Sequence, residues 1–251
     1  MKKEKDNKTP INVYWSPVPK SIDDRRWTFL YPDPINLFED LSKRKSDQST
    51  DISIFACPAF RNKTLNTYFF TCPVSSEYTF KTVLGKVLVA PADKNKQTME
   101  ASVLRPESLA GNPHITLPLY FSLFAEEPLE ATFSAPYFHE AKYTKYGSLV
   151  PGTFDIGQWY RPYTVEFNMW KEQGIFNLEE GEPLFYVEFL TDRPINIIRF
   201  KPTADSVAYA ENCSRSSGDF MRRFPLSKRY EFFNKTRMRD LLLKEIKENI
   251  I

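Results

Sequence analysis

Three segments in the second half of the chain read as strands, the first of them, TVEFNMW, by alternating apolar and polar residues with a period of two, a pattern that only a β-strand with one buried face satisfies. TVEFNMW places Val165, Phe167 and Met169 on one face, PLFYVEFL does the same with Phe185, Val187 and Phe189, and PINIIRF follows. Turn chemistry at KEQG, EEGEP and TDRP separates them. Upstream, ITLPLYFSLF is a nearly continuous apolar run, expected as a buried strand or a core strand pair. EYTFKTVLGKVLVAP (77–91) reads as a further strand, ISIFACPAF and TYFFTCP as two short strands around a turn at RNKT, and EEPLEATFS alternates weakly. Composition agrees: 15% aromatic residues, 19 Pro and only 8 Gly favour strands joined by ordered, Pro-pinned loops.

The two ends differ from this centre. Residues 1–10 read as a charged, frayed tail. In INVYWSPVP and RRWTFLYPDPINLFEDL, prolines at 17, 19, 32 and 34 argue against a central strand and for extended segments wrapped on a surface. A short helix is expected near 34–41, and SKRKSDQSTD (42–51) and PADKNKQT as polar loops. The C-terminal NKTRMRDLLLKEIKENII sets Met238, Leu242, Ile246 and Ile250 at helical spacing with Leu241 beside them, with Asn234 or Thr236 as cap. The expectation is a mainly β protein, an antiparallel β-sandwich or β-clip or jelly-roll-like domain with a C-terminal α-helix. One globular domain is expected over 11–251, β-rich over 52–203, with the helix at about 235–250.

A net charge of +2 gives no global electrostatic case for nucleic acid or membrane. The start MKKEKDNKTP has no apolar core and no apolar run approaches the ~20 residues of a membrane span, so a cytoplasmic protein is expected. Cys57, Cys72 and Cys213 lack metal-ligand spacing and read as buried free thiols; no metal and no cofactor are expected. With only His114 and His139, facial-triad and Ser-His-Asp arrangements find no support, and the glycine-rich phosphate loops are absent. His139 in YFHEAKY reads as a hydrogen-bonded structural histidine or, less readily, as an acid or base.

The densest chemistry lies in FDIGQWYRP (154–162), with a carboxylate, a guanidinium and three aromatic rings. Gly152, Asp155, Tyr160, Arg161, Asn168 and Gly181 stand in an order that resembles the distal motifs of the dUTPase and dCTP deaminase group, over residues 152–190. That resemblance implies Asp155 as the base, Tyr160 as a plate stacked on deoxyribose and Arg161 as a phosphate or structural partner. Pro162 stands where that group has Gly, and its P-R-S-S motif is missing upstream. A broader resemblance, to proteins of large tailed, marine-type bacteriophages, rests on INVYWSPV, LYPDPINLFEDL, CPAF, WYRPYTVEF, GEPLFYVEFLTDRPI and SKRYEFF with LLLKEIK. It implies a phage origin, and thus the host cytoplasm or the virion, but no mechanism.

Residues 221–251 carry nine basic residues against four acidic ones, and Tyr230, Phe232 and Phe233 interleave with the bases. Arg222, Arg223, Lys228, Arg229 and Arg237 are therefore nucleic-acid candidates. The absence of a standard catalytic constellation puts binding or assembly first, through a protein partner or a homo-oligomer. Nucleotide binding or hydrolysis at Asp155 and nucleic-acid contact at the C-terminus stand as alternatives.

Overall fold

The computed structural model describes residues 9–18, 29–44, 54–83, 86–91, 114–214 and 225–251. Thirteen strands among them form three sheets. Sheet I runs β13 (Ile195–Arg199), β1 (Ile11–Pro17), β6 (His114–Ala125), β10 (Tyr163–Met169) and β8 (Gly147–Leu149). Sheet II runs β2 (Ile35–Asn36), β3 (Thr67–Thr71), β12 (Pro183–Phe189), β7 (Glu130–Ser134) and β9 (Gly152–Asp155). Sheet III is the smaller β11 (Gln173–Leu178), β4 (Ser76–Val83) and β5 (Lys86–Pro91). β1 and β13 pair in parallel, and the other pairings among the described strands are antiparallel. From β6 to β10 the chain passes between sheets I and II at every step, as an antiparallel sandwich requires.

Sheets I and II face each other through aromatic rings. Trp15 meets Phe70 edge-on at 5.7 Å, Phe70 stacks on Phe185 at 4.9 Å, and Phe121 meets Phe185 at 5.0 Å. Tyr78, Phe80 and Phe176 of sheet III join the same core, where Phe176 touches Phe167 at 4.8 Å. The alternating strands then supply the opposite face of sheet I. Tyr14 and Phe124 lie among Phe200, Ala210, Phe233, Leu242 and Ile246, beneath α3 (Ala204–Ser214), α4 (Leu226–Lys235) and α5 (Met238–Glu248). On sheet II, Phe69 and Tyr186 are covered by Leu37 and Leu41 of α1 (Leu37–Lys43), with α2 (Pro58–Leu65) beside it.

Several expectations change. β1 is not a surface wrap: it lies between β13 and β6 with Val13, Tyr14 and Trp15 buried. Pro17 is tolerated because it is the last residue of the strand, beyond the stretch that pairs with β13. Pro118 falls where β10 skips from Tyr120 to Leu117 of β6, a bulge that relieves the missing N–H. CPAFRNKTL is a helix, with Pro58 in its first turn and Phe60 and Thr64 on its buried face. EYTFKTVLGKVLVAP is a hairpin rather than one strand. The expected C-terminal helix is α5, and a further helix, α4, precedes it across a break at Thr236, whose hydroxyl accepts from the Met238 N–H at 3.4 Å. The tail's residues 1–8, most of the two polar loops, and Arg222 and Arg223 lie outside the described residues. No described helix is long and apolar enough to cross a membrane.

The helix layer is fastened as well as packed. Arg239 lies over Phe124 at 5.6 Å and donates to the carbonyls of Gly157 (3.0 Å) and Glu126. The Glu126 carboxylate accepts from the Tyr14 hydroxyl and pairs with Lys247 at 3.1 Å. The buried centre of the stripe is Leu242 and Ile246, with Met238 and Leu243 partly buried, while Leu241 and Ile250 are exposed. Leu242→Asp is expected to cost about 3–5 kcal/mol, from lost burial and a charge in the core. Urea unfolding measures it; an unchanged midpoint would show that α5 is not docked on sheet I.

Candidate functional site

Asp155 ends β9, and the chain turns at once through Ile156 and Gly157. One carboxylate oxygen, Oδ1, accepts from the backbone N–H of Leu129 (3.2 Å), Gly157 (2.9 Å) and Gln158 (3.2 Å), and Oδ2 accepts from the Gln158 side-chain amide at 2.6 Å. Three backbone donors converging on one oxygen make a turn lock. Gly157 is required inside it, because a Cβ there would lie 2.0 Å from the Glu127 carbonyl oxygen.

Tyr160 is buried to 1% exposure and meets Phe124 edge-on at 5.6 Å, beneath the C-terminal helices. Its hydroxyl meets Ser122 and Ser206, and burial raises its pKa well above the usual phenol value. Such a ring has no open face for a sugar. Arg161 departs on the other side: its guanidinium lies over Trp159 at 4.9 Å and lines a cleft with Tyr163 and Glu166. Asp155, Tyr160 and Arg161 therefore sit in a turn, a core and a cleft, and the fold does not bring them together around one reacting atom.

The basic C-terminal residues are mostly engaged locally. Lys228 and Lys235 both pair with Glu231, at 2.8 and 2.6 Å. Arg229 is half-buried, and Arg237 is exposed at the break between α4 and α5. Of the interleaved aromatics, Phe233 is core and Tyr230 packs on Trp159 at 4.3 Å, which leaves Phe232 exposed.

The second constellation was invisible to spacing. His139 Nε2 lies 3.0 Å from Asp40 Oδ2, and its Nδ1 contacts the Tyr186 hydroxyl, which also accepts from the Phe138 N–H at 3.3 Å. A neutral imidazole satisfies both contacts, donating from Nε2 to Asp40 and accepting at Nδ1. The three residues come from α1, the loop after β7, and β12, so nothing in the local sequence links them. The Tyr186 side chain is fully buried, and the triad fixes the loop Tyr137–Phe138 rather than presenting a nucleophile.

Around that loop the surface is apolar and aromatic. Phe38, Phe55, Phe60, Phe138 and Tyr137 form a chain of edge-on ring contacts of 5.0–5.9 Å. Ile54, Leu65, Tyr137 and Phe138 are 57%, 42%, 45% and 40% exposed. Arg61 stands 5.5 Å over Phe38 and Lys63 6.0 Å over Tyr137, where Lys63 also pairs with Glu188. Among the described residues no group of His, Cys, Asp or Glu is placed to hold a metal ion, and Cys57 is exposed while Cys72 and Cys213 are buried, their thiols pushed up to about 12 by burial. Comparison with protein-family models, with curated proteins and with solved structures returns no match.

Two outcomes test this placement. Asp155→Ala is expected to cost about 1–3 kcal/mol in urea unfolding by leaving buried turn N–H groups unpaired, with Asp155→Asn milder because its carbonyl oxygen still accepts. Equal stability in all three proteins would contradict the turn lock. Burial holds His139 below its ordinary pKa, with the Asp40 partner opposing that shift. The unfolded chain then takes the proton first, so stability should fall as pH drops below about 6.5, by at most about 1.4 kcal/mol per pH unit. His139→Gln should flatten that slope; a slope equal to wild type would remove His139 as its cause.

Proposed function

We propose that the protein works by binding and assembly, through the aromatic face of α1, α2 and the Tyr137–Phe138 loop, with a second copy of the chain as its partner. The observation that carries this reading is the unbroken run of ring contacts from Phe38 to Tyr137, which leaves large apolar side chains in water beside the Asp40–His139–Tyr186 anchor. Scattered exposed apolar residues need no explanation; a contiguous aromatic set held rigid from below marks an interaction surface.

The rim favours self-recognition. Arg44, Arg61 and Lys63 stand there with Asp40 and Glu188, so two copies related by a two-fold axis can set opposite charges against one another. The net charge of +2 adds little repulsion between copies. The resemblance to phage proteins gives this reading its setting, an accessory or structural component that acts by contact. Light scattering across a dilution series should show a concentration-dependent dimer. Phe138→Ser combined with Ile54→Ser should shift it to monomer, weakening association at least about tenfold, since central aromatic anchors dominate such interfaces. A wild-type monomer at every concentration, or a dimer indifferent to both substitutions, would refute the reading.

A further inference from the structure

The cleft beside Arg161 carries an independent inference. It is a cavity of about 210 Å³ at the edge of the sandwich, where the chain crosses from β8 to β9. Its walls are rings: Phe133 stacks on Tyr163 at 4.6 Å, Phe154 tilts against Tyr163 at 5.2 Å, and Phe185 closes the back.

Its polar groups are unbalanced in one direction. Tyr163 is more than nine-tenths buried, yet its hydroxyl has no hydrogen-bond partner among the described residues. The Trp159 indole N–H is likewise unpaired, on a ring that packs against Phe154 of the cleft wall at 5.0 Å; Tyr230 packs in turn on Trp159, its hydroxyl beside the Arg161 guanidinium. Arg161 stacks on Trp159 and makes no ion pair with a carboxylate among the described residues. The one carboxylate of the cleft, Glu166, is already occupied: it accepts from the Thr164 hydroxyl at 2.9 Å and lies 3.1 Å from His114 Nε2. Buried polar groups are almost always paired, so a buried hydroxyl without a partner, beside a cation without a carboxylate, needs an explanation that sheet packing does not supply.

An acceptor from outside supplies it. We infer that the cleft binds a small aromatic anion, a single ring bearing a carboxylate or a phosphate, with the ring among Phe133, Phe154 and Tyr163 and the anionic group on Arg161 and the Tyr163 hydroxyl. The volume sets the size: pockets for drug-sized ligands run to about 300–1,000 Å³, so this cleft admits one ring and excludes a whole nucleotide. Arg suits such a group because its planar fork donates twice to a carboxylate or phosphate.

The test uses the full chain with benzoate, phenyl phosphate and benzyl alcohol, followed by calorimetry and by thermal shift. At least one of the two anions should bind at millimolar concentration or tighter and raise the melting temperature, while the neutral alcohol does neither. Which anion binds distinguishes a carboxylate from a phosphate ligand. Arg161→Gln should weaken binding at least about tenfold by removing a charge-assisted pair. Tyr163→Phe should weaken it while leaving the unliganded protein at or above the wild-type melting temperature, because the hydroxyl removed has no partner to lose; this variant decides the matter should Arg161→Gln fail to fold. Binding of neither anion, equal binding of benzyl alcohol, or anion binding unchanged in Tyr163→Phe would overturn the inference. The aromatic face and its dimer would be untouched by any of these results.

Discussion

The aromatic layer between sheets I and II is the constraint from which the other features follow. Trp15, Phe70, Phe121, Phe133, Tyr163 and Phe185 touch one another edge-on, stacked or tilted, which fixes the separation and the relative placement of the two sheets. Each such side chain stabilises the fold by about 1.5–3 kcal/mol when buried. Because successive residues of a strand face opposite ways, committing Trp15, Phe121 and Leu123 to this layer commits Tyr14, Ser122 and Phe124 to the other side of sheet I. The helix layer of α3, α4 and α5 is the cover that this second face demands. At the layer's edge the rings end without a lid, and the cleft beside Arg161 is what remains.

The connection from β9 to β10 divides FDIGQWYRP between the two sides of sheet I. Tyr160 and Arg161 are neighbours in sequence, and they part toward a core and a cleft. Asp155, earlier in the same stretch, is spent in holding the turn that lets this happen, with Gly157 pressed against the Glu127 carbonyl. A stretch rich in reactive side chains thus serves mainly to steer the chain from sheet II back to sheet I. Arg239 fastens that turn to the helix layer, reaching from α5 to the carbonyl of Gly157 within it and to that of Glu126 in the neighbouring loop after β6.

Legibility in the sequence followed the range of the interactions. β10 was readable because its buried face repeats every second residue, β12 because it is a dense apolar run buried on both faces from Leu184 to Val187, and Leu242 with Ile246 because theirs repeat every fourth. β1 was misjudged: Pro17 argued against a central strand, and only the register with β13 and β6 shows that it stands at a strand end. CPAF looked like a strand because its aromatic and apolar residues are dense, although Pro58 ahead of Phe60 and Thr64 is a helix-start signal. α3 has only a modest apolar stripe, and its start is marked by reciprocal Thr203–Ser206 capping bonds rather than by the usual acidic capping box. The Asp40–His139–Tyr186 contact and the aromatic face join residues 38–40 and 54–65 to 137–139 and 186, and no window of sequence contains them.

The central claim is that the face built on α1, α2 and the Tyr137–Phe138 loop is where this protein meets its partner. Hydrogen–deuterium exchange of the wild-type chain at high and low concentration tests it most directly, since association slows exchange at the covered surface. The account predicts added protection at high concentration confined to residues 37–43, 54–65 and 137–139. Protection centred instead on residues 226–248, with those three segments unchanged, would contradict it.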